Sequence, residues 1–345
     1  METTNRREFM AALAALGLTP VIHAAPMAQA AKEKQSEEQE KPVLPFVPGS
    51  WSLVILPDTQ NYSTSYPGLL NLQTQWIVDN KDKYHIVYVL QNGDVTNHDS
   101  KLEWQRAGRA FSRLDGVVPY ALVPGNHDYC GGSAKDRTTL MNNYFPPSRF
   151  AKWPTFGGVM EKGRIENNYH LFQAGGRKWL IIGLEWGPRD QTLAWADKIL
   201  TKYQDRQAII MTHAYLYSDS TRYDWRQKGK SQSWNPHAYF TPGSINDGEE
   251  IWHKVLKKHP NVFMTINGHV CNDGLGFLLS QSDHGNPVYQ MLVNFQIKPL
   301  GGESWLRLLE FLPDGKTIQV KDYCPLYDKY NTGPENQFVI KTWLN

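Results

Sequence analysis

Residues 119–128 read Pro-Tyr-Ala-Leu-Val-Pro-Gly-Asn-His-Asp, an apolar run that ends in a polar tip, and the chain repeats this arrangement. The runs are rich in β-branched and aromatic residues, as buried strands are; they cover 51–57, 86–90, 119–124, 208–212 and 262–266. The tips that follow them are Asp58-Thr-Gln60, Gly93-Asp94, Gly125-Asn-His-Asp128, His213 and Gly268-His-Val-Cys271. We expect these strands to lie side by side and parallel, so that the tips meet in one crevice where open α/β sheets bind ligands.

Each tip alone has an ordinary explanation. Asp58 and Thr59 suit a turn after a strand, and a lone His such as His213 is more often a core histidine than a ligand. The Gly125–Asp128 segment could be a capped loop, because Gly and Asn tolerate left-handed backbone. Only the five tips taken together, in this order, predict that they form one metal site.

The order and content of the tips resemble the calcineurin-like metallophosphoesterases, whose pattern is D-x-H, G-D, G-N-H-[DE], H and G-H-x-H. The resemblance spans roughly residues 50–275, and an ordered set is more specific than any single motif. It implies a four-layer α/β/β/α sandwich of two mixed sheets, with the metal site at the carboxyl ends of the strands. It also implies two divalent or trivalent metal ions, of which Mn, Fe and Zn are all possible.

For the second of these ions, the resemblance assigns four ligands. Asp94 would bridge both ions, and Asn126, His213 and His269 would complete the second ion's shell.

The first ion's shell departs from the family pattern. Asp58 would hold this ion, but Gln60 and Cys271 stand where His residues are usual. A Gln oxygen is a neutral ligand and Cys a soft one, whereas imidazole suits zinc, iron and copper. We expect the first site to be weaker, altered in metal preference, or empty. Cys271 could equally be a small buried hydrophobe.

The implied chemistry is hydrolysis of a small-molecule phosphomonoester or phosphodiester by metal-bound hydroxide, because a metal pair activates water and clamps phosphoryl oxygens. His127 resembles the family's proton donor to the leaving group, with Asp128 orienting its ring. A His with a carboxylate partner keeps a usable proton near pH 7.

Two irregular stretches, 151–166 and 215–246, are candidates for the substrate pocket, because loops this long are usually functional or disordered. The second is rich in Tyr and Trp and contains Arg222 and Arg226. We expect a lid over the leaving group, with either arginine available for phosphate; the alternative is that the aromatics pack the loop onto the scaffold. His98 could also reach the phosphate, or be an ordinary exposed loop residue.

The aromatic residues keep a second function open. The chain has 12 Trp and 17 Tyr, which would suit a catalytically weak metal-binding protein that holds a carbohydrate or glycolipid, although aromatics in cores are commoner. The net charge of +2 gives no signature of nucleic-acid binding. The sequence leaves the oligomeric state and the identity of the ester open.

The N-terminus predicts export. Arg6 and Arg7 precede a short apolar run over 10–17, and Ala28-Gln-Ala30 offers a cleavage site. We therefore divide the chain into a twin-arginine signal peptide (1–30), a flexible linker (31–48) and a metallophosphoesterase domain (49–345). The protein would be periplasmic or extracellular without a transmembrane anchor, since the apolar run is too short to span a bilayer.

Elements between and after the tips complete the expected sandwich. Amphipathic helices are predicted over 69–80, 100–114, 190–203 and 247–258. Strands over 288–293, 305–311 and 317–321, with a hairpin at 168–172 and 179–183, are expected to form the second sheet. Of the three cysteines, Cys130 and Cys324 could form a disulfide if Cys271 faces the metal.

Overall fold

The five apolar runs that precede the polar tips all form strands. The structure, a computed structural model, describes residues 42–344. Its strands are β1 Trp51–Leu56, β2 Ile86–Gln91, β3 Tyr120–Leu122, β4 Phe156–Val159, β5 Asn168–Ala174, β6 Arg177–Leu184, β7 Gln207–Thr212, β8 Val262–Asn267, β9 Leu275–Gln281, β10 Pro287–Val293, β11 Leu306–Phe311, β12 Thr317–Cys324, β13 Lys329–Asn331 and β14 Gln337–Lys341.

Helices occupy much of the chain between these strands. The α-helices are α1 Gln60–Thr64, α2 Pro67–Asn80, α3 Lys101–Phe111, α4 Met141–Tyr144, α5 Pro147–Phe150, α6 Asp190–Lys202, α7 Trp225–Lys228, α8 Gly248–Lys254 and α9 Pro299–Gly302. Short 3₁₀ turns lie at Asn126–Asp128, Cys130–Gly132, Gly229–Ser231, Pro236–Ala238 and Leu256–Lys258.

The strands form two mixed sheets of seven strands each. The first has the order β13-β12-β11-β1-β2-β3, with β14 also paired to β12. Within it β1, β2 and β3 are parallel, whereas β11 is antiparallel to β1. The second sheet has the order β4-β5-β6-β7-β8-β10-β9, in which β6, β7, β8 and β10 are parallel.

The expectation that all five tip-bearing strands lie in one sheet is wrong. Strands β1, β2 and β3 belong to the first sheet, and β7 and β8 belong to the second. The late strands are also divided differently, because β11 and β12 join β1 in the first sheet while β10 joins β8. Both sheets therefore contribute carboxyl strand ends to the predicted site.

Alternating side chains produce the four layers. Leu53 and Ile55 of β1 point into a core between the sheets, where they join Ile181 and Ile209 of the second sheet. The intervening Val54 packs outward in a cluster with residues of α2 and α3. On the outer face of the second sheet, residues of β6 and β7 pack against α6 and α8. This period-two pattern buries both faces of each sheet, which confirms the α/β/β/α sandwich.

Helix boundaries follow local capping chemistry. Helix α3 begins after Ser100, whose hydroxyl accepts a hydrogen bond from the Glu103 backbone N–H. The Glu103 carboxylate in turn accepts from the Ser100 backbone N–H. Helix α8 begins after Asp247 in the same way. It ends at Lys254, earlier than expected, and a 3₁₀ turn over Leu256–Lys258 continues the segment.

The end of the expected linker is attached to the sandwich. The backbone N–H groups of Leu44 and Val47 donate to the side chains of Gln337 and Glu310, at 2.9 and 2.7 Å. Lys321 Nζ lies 3.3 Å from the Pro45 carbonyl oxygen. Residues 42–48 thus contact β11, β12 and β14, whereas 1–41, including the expected signal peptide, lie outside the described residues.

No helix within residues 42–344 is long and apolar enough to cross a membrane.

Stability at acid pH should depend on His170, which is 1% exposed in β5. Its ring nitrogens contact the Tyr88 hydroxyl at 2.7 Å and Asn168 Oδ1 at 2.9 Å. Burial lowers the pKa of His170 from 6.5 to about 3. The unfolded chain therefore binds a proton below pH 6.5 that the folded chain does not, and the free energy of unfolding should fall by up to about 1.4 kcal/mol per pH unit.

Urea unfolding of chelator-treated protein between pH 4 and 7 measures this dependence. His170→Gln cannot titrate, so its free energy of unfolding should fall less steeply than that of the wild type as pH decreases. Equal slopes in the two proteins would contradict the assignment.

Candidate metal centre

The polar tips of the two sheets converge at one edge of the sandwich. Asp94 follows β2 of the first sheet, and His213 and His269 follow β7 and β8 of the second. One ligand atom from each of these three buried residues lies within 4.8 Å of the others. His213 Nε2 is 3.2 Å from Asp94 Oδ2. The sequence prediction that these tips meet is correct, although they meet across the sheets.

Glycines allow the tips to approach one another closely. A Cβ atom at Gly125 would lie 2.0 Å from Asp94 Oδ1, and one at Gly268 would lie 2.1 Å from Asp58 Oδ1. Asp94 and His269 themselves have left-handed backbone, with φ of 49° and 74°. Non-glycine residues in this region concentrate at functional sites, where the surrounding structure holds them.

Backbone carbonyls orient both imidazole rings. His213 Nδ1 lies 2.8 Å from the Asn92 carbonyl oxygen, and His269 Nε2 lies 2.9 Å from the Trp234 carbonyl oxygen. A carbonyl can only accept, so these nitrogens carry the protons. His213 Nε2 and His269 Nδ1 are the nitrogens left for other contacts, as in metal-binding histidines, whose second ring nitrogen donates to the protein.

Several buried polar atoms have no hydrogen-bond partner in the described structure. They include Gln60 Oε1 and Asn126 Oδ1. Buried polar groups almost always have hydrogen-bond partners, and a bound ion is one recognised explanation of an exception. These unpartnered atoms and the buried cluster of Asp94, His213 and His269 fit the binding of metal ions.

The electrostatics also favour cations between the carboxylates. Burial, with help from the charge of Asp94, raises the pKa of Asp58 to about 7 against the opposing effect of His213. Burial pushes the pKa of Asp94 upward too, but His213 and His127 outweigh it and hold that pKa well below its usual value. The two carboxylates raise the pKa of His213 to about 9 despite its burial. This interior attracts positive charge.

His127 and Asp128 have separate partners, which corrects the expected pairing. His127 Nδ1 lies 2.9 Å from the Asn97 carbonyl oxygen, so a backbone group orients its ring. The Asp128 carboxylate accepts from the backbone N–H groups of Val95, Thr96 and Gly125, at 2.7–3.0 Å. Val95 and Thr96 directly follow Asp94 in the chain, so these hydrogen bonds to Asp128 hold the loop that carries Asp94 in place.

The expected phosphate-binding side chains contact the scaffold instead. Arg222 bonds Ser280 and Gln290, pairs with Glu249 at 2.9 Å, and stacks on Trp252. Arg226 is exposed on α7 and pairs with Glu250. His98 Nδ1 lies 3.0 Å from Glu103 at the start of α3. The expectation that Arg222 is available for phosphate is wrong, because both terminal nitrogens of its guanidinium contact residues of β9, β10 and α8.

The aromatic residues of 215–246 mostly pack inward. Tyr215, Tyr217 and Tyr223 are buried in the cluster on the outer face of the second sheet. Trp234 is 44% exposed and Phe240 is 86% exposed. This distribution favours the packing alternative over a broad aromatic surface, and so weakens the case for a carbohydrate-binding protein. In the other stretch, 151–166, residues Phe156–Val159 form β4.

All three cysteines are free thiols. Cys324 is buried at the end of β12, where its thiol donates to the Glu303 carbonyl oxygen at 3.0 Å. Cys130 lies in the 3₁₀ turn after the Gly125–Asp128 segment. The suggested disulfide between them does not form. Cys271 is half-buried, and burial raises the pKa of its thiol.

The sequence reasoning missed three amide side chains of the site. Asn294 Nδ2 donates to Asp58 Oδ2 at 3.0 Å, and Gln296 Nε2 lies 2.9 Å from Cys271 Sγ. Asn92, just before Gly93-Asp94, is buried with both side-chain polar atoms unpartnered. The signal for the first two was present, because Asn294-Phe-Gln296 is another polar tip directly after a strand, β10.

Comparison with known proteins agrees with this arrangement. The model of the calcineurin-like phosphoesterase family matches residues 52–273. The chain is 30% identical over 310 residues to the uncharacterized protein YvnB of Bacillus subtilis (strain 168). The aligned region covers 86% of this chain but 22% of YvnB. This chain therefore spans about a fifth of that relative's length.

Solved structures align with the chain at low sequence identity. A purple acid phosphatase, PPD1 from yellow lupin seeds, aligns with a TM-score of 0.51 and 16% identity over 87% of this chain and 55% of its own. A 5'-nucleotidase precursor from Thermus thermophilus aligns over 85% of this chain and 55% of its own, with 13% identity and a TM-score of 0.43. Because the family model matches residues 52–273, most of the sandwich, the chain belongs to the calcineurin-like phosphoesterase family.

Proposed function

We propose that the chain hydrolyses a small-molecule phosphomonoester or phosphodiester at a centre of two metal ions. Asp94, Asn126, His213 and His269 would hold one ion, and Asp58 and Gln60 would contribute to the other. The observation that supports this most is the convergence of Asp94, His213 and His269 within 4.8 Å, beside buried donor atoms that lack partners.

The metal ions would supply Lewis acidity toward water and the phosphoryl oxygens. The chain's own contribution is to orient these groups. Asp128 ties the Asp94 loop to the Gly125 loop through three backbone N–H groups. The His127 backbone N–H donates to Asp94 Oδ1 at 3.0 Å, so the backbone of the proposed proton donor holds the carboxylate that would contact both ions.

His127 is suited to donate a proton from one defined atom. The Asn97 carbonyl oxygen accepts from Nδ1, so Nδ1 keeps its proton in both charge states. Nε2 is therefore the nitrogen that gains or loses a proton. In the protonated ring it can transfer that proton to the departing alkoxide oxygen, which is general acid catalysis.

Asp94→Asn tests the metal centre. The amide keeps the side chain's shape but removes the charge that would hold both ions, so we expect loss of bound metal and of phosphoesterase activity together. Metal analysis and turnover of a chromogenic phosphate ester, with Mn, Zn or Fe restored after chelation, measure both. Asp82→Asn, at a 98% exposed side chain outside the site, is the control. Activity retained by Asp94→Asn at the control's level would contradict the proposal.

His127→Gln tests the proton donor. We expect kcat to fall about 10²–10⁴-fold for an alkyl phosphate, whose leaving group needs a proton, with metal content unchanged. The loss should be much smaller for a nitrophenyl phosphate, because nitrophenolate departs without protonation. His253→Gln, at a histidine whose side chain is 62% exposed on α8, is the matched control. Equal losses on the two esters would show that His127 is not the acid.

We propose further that the protein is exported by the twin-arginine route, which carries proteins already folded with their metals. The support is the order of Arg6 and Arg7, the apolar run and Ala28-Gln-Ala30. Changing both arginines to lysine should retain the uncleaved chain in the cytoplasm, as fractionation and immunoblotting would detect. Unchanged export of that variant would refute this route without bearing on the hydrolase.

A further inference from the structure

The segment after β10 closes the side of the centre where the chain departs from its family. Asn294 Nδ2 donates to Asp58 Oδ2 at 3.0 Å, and Asn294 Oδ1 accepts from the Gln296 backbone N–H at 2.9 Å. Asn61, next to Gln60 in α1, donates to the Gln296 carbonyl oxygen at 3.4 Å. The backbone of Gln296 is thus hydrogen-bonded to Asn294, which binds the Asp58 carboxylate, and to Asn61 in the helix that carries Gln60.

Two amide oxygens in this region are buried and unpartnered. They are Gln60 Oε1 and Gln296 Oε1. The Gln296 amide uses its other end, because Nε2 lies 2.9 Å from Cys271 Sγ. This contact fixes the orientation of the amide and leaves its oxygen available. A buried amide oxygen without a donor is costly unless a cation or water satisfies it.

Cys271 has the contacts of a neutral thiol. Its sulfur receives the Gln296 N–H and lies 3.9 Å from the His269 carbonyl oxygen, to which an S–H can donate. A sulfur whose hydrogen is directed at a backbone carbonyl is a poor metal ligand, because the thiolate is the form that binds metals.

We propose that the first metal position of this chain is an oxygen site for a hard divalent cation of the Mn²⁺ or Mg²⁺ class. Asp58, Gln60 and Gln296 supply the oxygens, and Cys271 remains a thiol that positions Gln296. Carboxylate and carbonyl oxygens suit these ions, whereas the second position, with two imidazoles, suits zinc or iron. The inference rests on the proposed two-metal function and gives the two positions different metal preferences.

Binding of Mn²⁺ to zinc-loaded protein tests the site without relying on activity. Apoprotein given one equivalent of Zn²⁺ should take up one further equivalent of Mn²⁺, measured by calorimetry and by loss of the free-ion EPR signal. Gln296→Ala and Gln60→Ala should each weaken this Mn²⁺ binding at least about 10-fold and retain the zinc. Gln296→Glu should bind Mn²⁺ as well as the wild type or better, since it keeps an oxygen ligand and adds charge. Gln319→Ala, at another buried amide with an unpartnered Oε1, in β12, is the matched control.

Cobalt spectroscopy tests the role of sulfur. Co²⁺ in the first position of zinc-loaded protein should show no intense thiolate charge-transfer band, and Cys271→Ser should change Mn²⁺ affinity less than about 3-fold. A charge-transfer band that disappears in Cys271→Ser would overturn the proposal in favour of a thiolate site. So would unchanged Mn²⁺ binding in Gln296→Ala and Gln60→Ala, or the absence of a second equivalent in the wild type.

The outcomes separate this inference from the proposed function. Protein that binds both ions as described but cleaves no phosphate ester refutes the hydrolase and leaves the oxygen site standing. Protein that cleaves esters but shows thiolate ligation at the first position supports the hydrolase and refutes the oxygen site. If Gln296→Ala does not fold, the Gln60→Ala and Gln296→Glu affinities decide.

Discussion

Two carboxylates, those of Asp58 and Asp94, are buried in the same interior at the end of the sandwich, and their charges oppose each other. Like charges out of water are unfavourable unless opposite charge or hydrogen bonds offset them. Here the offsets are explicit: the His269 backbone N–H and Asn294 stabilise Asp58, while the His127 backbone N–H and His213 stabilise Asp94. The glycines, the left-handed residues and the orphaned amides of the centre all surround this pair.

The sequence predicted which residues converge, such as Asp94, His213 and His269, better than it predicted how their strands are arranged. Tips such as Asp94 and His269 could be found because apolar runs precede them and the polar residues follow in a fixed order. The sequence could not predict which strands belong to which sheet, because strands such as β1 and β7 are buried almost throughout and have similar apolar patterns. Which strand pairs with which depends on contacts between distant segments, such as β11 with β1.

Side-chain partners were the least predictable part of the centre. Asp128 follows His127 in the chain, yet backbone geometry directs its carboxylate to the N–H groups of Val95 and Thr96. Arg222 lies in a polar stretch near His213 but packs on Trp252. In both cases, proximity in the sequence suggested one partner for the side chain, and the folded structure gives it a different one. Gln296, in contrast, lies beyond the recognisable motifs and reaches the centre through β10.

The division of the donors between the sheets has a consequence for folding. Asp94 and Asn126 are carried by one sheet and His213 and His269 by the other, so a cation held by all four would act as a clasp between the two halves of the core. Ion binding and the docking of the halves would then be thermodynamically linked, with each making the other more favourable. Withdrawal of the ion would loosen the contact between the sheets first and leave each sheet's own strand pairing largely intact.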